Sequence, residues 1–272
     1  MTTVSAPAAP LLRPRPIPTH VTARRAVRSE WIKLTSLRST WITAATLAVT
    51  VVGIGLLATS TTMSSATTAT AADLFGLSLT GTAFAVLVVG ALGAVVGARE
   101  HASGMIRTTL AAVPRRGITL LAKSVALAGI VVPTLVAAYV GSVLAANAVI
   151  GGAGLPTVAV TDPLALRAIG GAVLYLTSVT LIGLALGSVL RSVAGAVAGV
   201  AGLVLVLPIV AGLLLPASWA AAADALPSVA GEAVTAVSAG AQITPLAGAA
   251  DLVAWVVVAL GVATVLLRRR DA

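Results

Sequence analysis

Six uninterrupted apolar runs, each about as long as a bilayer's hydrocarbon core is thick, constrain this chain more than any other feature. They fall at 41–59, 74–98, 124–150, 168–190, 193–215 and 252–267, and no Asp, Glu, Lys or Arg stands in the middle of any of them. A 23-residue run such as 168–190 reaches about 35 Å as a helix, enough to cross roughly 30 Å of hydrocarbon with some tilt. The last run is the shortest and is expected to borrow residues 248–251. The rest of the composition agrees. Hydrophobic residues make up 58% of the chain, charged residues 9%, and the mean hydropathy is +1.08. A soluble domain has about 45–50% apolar and roughly 25% charged residues, so this chain lacks the polar surface to cover a water-soluble globule. The sequence therefore predicts an all-α polytopic membrane protein with six transmembrane helices.

Charge placement orients those helices. There are 17 Lys and Arg residues against eight acids. Arg13, Arg15, Arg24, Arg25, Arg28, Lys33 and Arg38 precede the first run, and Arg99, Arg107, Arg115, Arg116 and Lys123 follow the second. Arg191 separates the fourth and fifth runs, and Arg268, Arg269 and Arg270 follow the sixth, which leaves Arg167 alone on the other side. The positive-inside rule predicts an N-in/C-in topology. Because topology accounts for the basic excess, no nucleic-acid partner is needed. Asp73, Asp162, Asp224, Glu232 and Asp251 then lie on the outer side.

The segments between the runs are unequal. Residues 1–23 carry five prolines and no apolar h-region of a secretory signal, and read as a disordered cytoplasmic tail. Residues 24–39 turn two-faced: Val27, Trp31 and Leu34 recur at helical spacing among Arg24, Arg25, Arg28 and Lys33, the pattern of a basic interfacial helix. Within the loop 99–123, Ser103 is placed to cap a short helix and Pro114 to end it. Met105, Ile106, Thr109, Leu110 and Val113 share its apolar face. The outer segment 216–250 is too apolar for an ordinary loop, and short helices at the outer leaflet are expected. Asp162-Pro163 reads as a cap and first-turn proline that start the fourth span.

Several chemistries are missing. Cysteine is absent, which excludes disulfides and thiolate chemistry. The two histidines, His20 and His101, lie outside the spans, and no Gly-Lys dipeptide occurs, so there is no Walker A loop. No catalytic, metal-binding or cofactor-binding residue is assigned. Without intramembrane charges an ion-coupled mechanism is disfavoured, as is an intramembrane enzyme. Thr134, Tyr139, Ser142, Asn147, Tyr175, Thr177, Ser178 and Thr180 are expected to make hydrogen bonds between helices. Gly93-x3-Gly97, Gly183-x3-Gly187 and Gly195-x3-Gly199 permit close helix approach. Trp31, Trp41 and Trp219 are placed to anchor at interfaces. Arg preference with abundant Ala, Val and Gly points to a high-GC bacterial genome.

Three stretches together resemble one family. RSEWIKLTSLRSTWIT (28–43) resembles the N-terminal elbow of bacterial ABC-2 type transporter permeases. AREHASGMIRTTLAAVPRRGITLLAK (98–123) is similar to their cytoplasmic loop, and LVAWVVVALGVATVLLRRRDA (252–272) to their last span and basic tail. The resemblance implies a permease domain over 24–272, an exporter subunit in the cytoplasmic membrane that has no ATPase site of its own. It implies a separate ABC ATPase subunit that binds the ATP, and a second permease copy, in a homodimer or heterodimer. Substrate then passes between the two halves; a lipid-like or drug-like molecule is the expected cargo. The ATPase contact falls on a coupling helix at 103–113, with Glu100, Met105, Ile106, Arg107, Leu110 and Val113 as its contact residues. Arg28, Glu30, Trp31 and Lys33 belong to the interfacial elbow. Two other classes stay open: an ATP-independent transporter or channel, and a non-transport membrane scaffold.

Overall fold

The computed structural model describes residues 22–62, 69–102, 116–214, 216, 218, 220–238 and 242–269. The proline-rich tail, Trp219 and the loop segment 103–113 lie outside the described residues. Every regular element described is helical. In chain order they are α1 (Ala23–Ser36), α2 (Arg38–Thr62), α3 (Ala71–Ser78), α4 (Thr82–Ala102), α5 (Arg116–Gly152) and α6 (Pro163–Leu190). These are followed by α7 (Val193–Leu214), the short α8 (Ala220–Asp224) and α9 (Pro227–Thr235), and α10 (Pro245–Arg269). Six segments are long and apolar enough to cross a membrane: α2, α3 with α4, α5, α6, α7 and α10.

The sequence anticipates most boundaries and their chemistry. Asp162 caps α6, its Oδ1 accepting from the Leu164 amide at 2.8 Å, with Pro163 in the first turn. The sixth span does recruit residues 248–251, and begins earlier still at Pro245. α5 starts at Arg116, so Lys123 sits inside a helix rather than in the loop.

Two irregularities were not anticipated. The second span is not continuous: it turns at Leu79–Gly81, where amides bond three residues back (Leu79 to Gly76, Thr80 to Leu77, Thr82 to Leu79) and stay satisfied. The reason is a neighbour. A Cβ on Gly81 would stand 2.6 Å from the Val51 carbonyl oxygen of α2, so only glycine lets the two backbones meet. The fifth span carries a π turn at Gly202–Val206, with the Leu207 amide bonding to the Gly202 carbonyl. Pro208 stands two residues further on; a proline ring clashes with the carbonyl four residues back, here that of Val204 inside the π turn, and the wider turn opens space there.

α6 is the centre of the bundle. Of its apolar window 67% is buried, against 17% for α7 and 11% for α10, and it packs on α4, α5, α7, α9 and α10. Its tightest neighbour is α4, where two of the Gly-x3-Gly motifs face each other. A Cβ on Gly93 would collide with the Thr180 carbonyl, one on Gly97 with that of Leu184, and one on Gly187 with that of Ala94. One on Gly183 would stand 2.6 Å from the Gly90 carbonyl. Each helix thus rests its glycines on the other's backbone, which allows close Cα–H···O approach where side chains would hold them apart. Gly195 and Gly199 make no such approach; their nearest neighbours are side chains at 3.5 Å and beyond.

Buried hydroxyls join the remaining helices. Ser142 of α5 donates to the Ser78 carbonyl at 2.8 Å, and the Tyr139 hydroxyl and Thr82 Oγ1 are 2.7 Å apart. Asn147 Nδ2 donates to the Val158 carbonyl at 2.8 Å. Thr134 and Thr180 instead bond back to carbonyls of their own helices.

Candidate functional site

Two cavities sit at opposite ends of the bundle. The first lies at the end that carries Arg99, Arg191, Arg268 and Arg269, under α1. Thr22 caps that helix by accepting from the Arg25 amide, and Ala26, Glu30 and Leu34, one turn apart, face inward. Leu34 is buried as the spacing suggests. Trp31, by contrast, is 42% exposed, while Glu30 is buried to 5% exposure. A charged residue thus occupies the face read as apolar, and Lys33 explains how: its Nζ donates to Glu30 Oε1 at 2.7 Å, giving the carboxylate a partner where water is scarce. Arg28 points outward.

The Trp31 ring lies over Gly129 of α5; a Cβ there would stand 2.8 Å from the ring. Trp41, at the start of α2, donates from Nε1 to the Thr35 carbonyl at 2.9 Å and ties the first span to the last turn of α1. Between α1, α2, α4 and α5 is a cavity of about 550 Å³ whose charged lining is Glu30, Lys33, Arg99 and Lys123. Leu34, Leu92 and Val96 supply apolar wall.

Of the residues assigned to ATPase contact, Met105, Ile106, Arg107, Leu110 and Val113 lie outside the described residues, as does the side chain of Glu100. What the structure does fix is where their segment is anchored. It leaves α4 after Ala102 and enters α5 at Arg116. Arg99 and Lys123, which flank it, both line the cavity under α1.

The second cavity, about 520 Å³, lies at the opposite end, among the α3–α4 turn, α6, the π turn of α7, and α9. Tyr175, Ser228, Glu232 and Thr235 supply its polar groups and Leu79, Val86, Val204 and Leu205 much of its apolar wall. The α9 segment that borders it is held at three places. Arg167 Nη2 donates to the Ala236 carbonyl at 2.6 Å, and Trp255 Nε1 of α10 to the Ala225 carbonyl at 2.7 Å. Gly231 lies under the Tyr175 ring, with 2.6 Å left for a Cβ. Short helices were expected in 216–250, but this site was not. Its clearest trace in the sequence is Glu232, one of two acids, with Asp224, in the segment 216–250.

The architecture is that of a multi-pass α-helical membrane protein, with no charged residue in the middle of a span and an amphipathic helix packed at the entrance of the first. The model of the family described as ABC-2 family transporter protein matches residues 26–208, from α1 into α7. That is more than half of the chain, and the protein belongs to the ABC-2 transporter family as a membrane subunit of an ABC transporter. No curated protein matches it.

Proposed function

We propose that residues 24–272 form the permease half of an exporter in the cytoplasmic membrane, oriented N-in/C-in and driven by ATP hydrolysed on a separate ABC ATPase subunit. The observation that carries this reading is the family match running unbroken from α1 to α7. It covers the elbow-like helix, the connecting segment and the first four spans together. In this reading α1 lies along the inner surface of the membrane, Trp31 and Trp41 sit at its boundary, and residues 103–113 dock on the ATPase. A helix with an apolar face bounded by Arg107 and its neighbours suits a groove with an acidic rim. The anchoring of that segment beside Glu30, Lys33, Arg99 and Lys123 supports a path for coupling. A push on the segment reaches α1, α4 and α5 at a single place.

Transport requires a second copy or a second permease, so that substrate passes between two halves. The exposed apolar faces of α7 (Leu205, Ile209, Leu213) and α10 (Val253, Val257) support that arrangement, since they leave surface for a partner as well as for lipid. The ATPase must bind the two transport states with different affinity, or hydrolysis moves nothing.

The test is affinity purification of the full chain from its native membrane, with the captured proteins searched for an ATPase that carries a Walker A motif. Wild type retains the ATPase, and Leu110→Asp, which places a charge on the docking face, loses it about tenfold while still inserting in the membrane. Equal retention overturns the docking role. Flux in proteoliposomes driven by an ion gradient without ATP overturns the energetic one.

A further inference from the structure

The cavity at the end opposite the basic residues combines features that its packing role does not require. Glu232 is the one charged residue lining it, and among the described residues its carboxylate makes no ion pair. Arg167, which reaches the end of the same segment, donates instead to the Ala236 carbonyl. The Ser228 hydroxyl is buried and without a hydrogen-bond partner among the described residues. Such orphaned groups are rare in folded proteins and call for a ligand, a water or a function. Tyr175, whose ring packs on Gly231, the residue before Glu232 in the chain, lines the same cavity. Finally, two breaks in regular helix, the α3–α4 turn and the π turn at Gly202–Val206, both supply wall. π turns cluster at functional sites.

From this arrangement we propose that the cavity binds an organic cation with an apolar body, its positive centre between the Glu232 carboxylate and the Tyr175 ring and its body against Leu79, Val86, Val204 and Leu205. A carboxylate and an aromatic face together recognise an ammonium or phosphonium centre. The volume, about 520 Å³, falls within the range of small-molecule sites. The hydroxyls of Ser228 and Thr235 lie within the same lining, which suits a ligand with a polar substituent. As a binding site this stands without the exporter reading; only its use as a station for cargo rests on that reading.

The experiment is saturation binding of radiolabelled tetraphenylphosphonium to the full chain in phosphatidylcholine nanodiscs, with empty discs subtracted and no ATP or ATPase present. Wild type binds saturably, and tetraphenylborate, the anion of the same shape, does not compete. Glu232→Gln, at an exposed position that tolerates the change, binds about tenfold more weakly, the loss expected for one Coulombic partner in a half-wet site. Ala83→Phe fills the cavity and abolishes binding, whereas Asp224→Asn, an acid outside the lining, leaves it unchanged. Unchanged affinity in Glu232→Gln, or competition by tetraphenylborate, overturns the proposal. Because no ATPase takes part, these outcomes are independent of whether residues 103–113 dock on one.

Discussion

Replacing Gly93 by alanine tests the glycine crossing of α4 and α6 most directly. The added methyl would collide with the Thr180 carbonyl oxygen and lie 2.9 Å from both Thr180 C and Leu184 N, where ordinary contact begins at 3.4 Å. These obstacles are backbone, so no rotamer change relieves them, and the helices must part by roughly half an ångström to one ångström. A gap of that size forfeits about a quarter to a half of each dispersion well along the crossing. A buried leucine makes about 40–60 contacts of about 0.1–0.2 kcal/mol. If about a third of those of Leu184 span the crossing, that residue alone loses about 1 kcal/mol. With Val89 and Val179, also fully buried, the loss reaches about 2–3 kcal/mol, within the range for overpacked cores. Gly261→Ala is the matched control, because a Cβ there meets nothing within 4 Å. Alanine's helix propensity, about 1 kcal/mol better than glycine's, acts in both variants and cancels in their difference. Tryptophan-fluorescence melting of the purified chain should therefore place Gly93→Ala roughly 5–10 °C below Gly261→Ala. Gly90→Ala should fall between them, since its methyl meets side chains rather than backbone, Val200 Cγ1 at 2.5 Å and Val179 Cγ1 at 3.5 Å. Equal melting of all three would refute the crossing as the tight joint of the bundle.

Further outcomes follow from single contacts. Arg191 caps α6 in the left-handed region at φ 55°, so Arg191→Gly should raise stability by about 1 kcal/mol, read as the same melting shift. Trp255→Phe removes the bond to the Ala225 carbonyl and should cost about 1 kcal/mol, with increased hydroxyl-radical labelling of the α8–α9 segment; unchanged labelling would mean that α10 does not hold it. Gly129→Leu should lift the Trp31 ring off α5 and increase its quenching by aqueous iodide in a chain with the other three tryptophans replaced by phenylalanine. Since the chain has no cysteine, single cysteines at 107, 269 and 232 can be labelled without background. The first two should react from one side of the membrane and the third from the other.

Much of this was legible in the sequence because the governing forces are local or periodic. Uncharged runs of spanning length predict the six helices, and Asp162-Pro163 predicts a helix start, since each depends on a few neighbouring residues. The glycine pairs were visible as motifs, but spacing alone does not say that 93 and 97 meet 183 and 187 while 195 and 199 meet no backbone. Pairing is a property of the assembled bundle. The break at Leu79–Gly81 was hidden for the same reason: its cause, the backbone at Val51, is 30 residues away in the chain. Glu30 inverted the amphipathic reading of α1, because a buried acid beside its own lysine looks, in sequence, like one more solvated charge. The cavity at the Glu232 end draws on four separate stretches of chain. Tyr175 and Glu232 were each visible as polar residues, but nothing in their spacing, 57 residues apart, says that they meet.

The close seating of α4 on α6 has a mechanical corollary. Two rods touching carbonyl to glycine along several turns have no slack to slide or splay, so they form one keel. Movement in this protein then belongs to the parts fastened less firmly around it: α2, α7 and α10. The two-residue bend at Arg191–Ser192 and the widened turn at Gly202–Val206 are where the chain departs from regular helix at the start of α7 and within it.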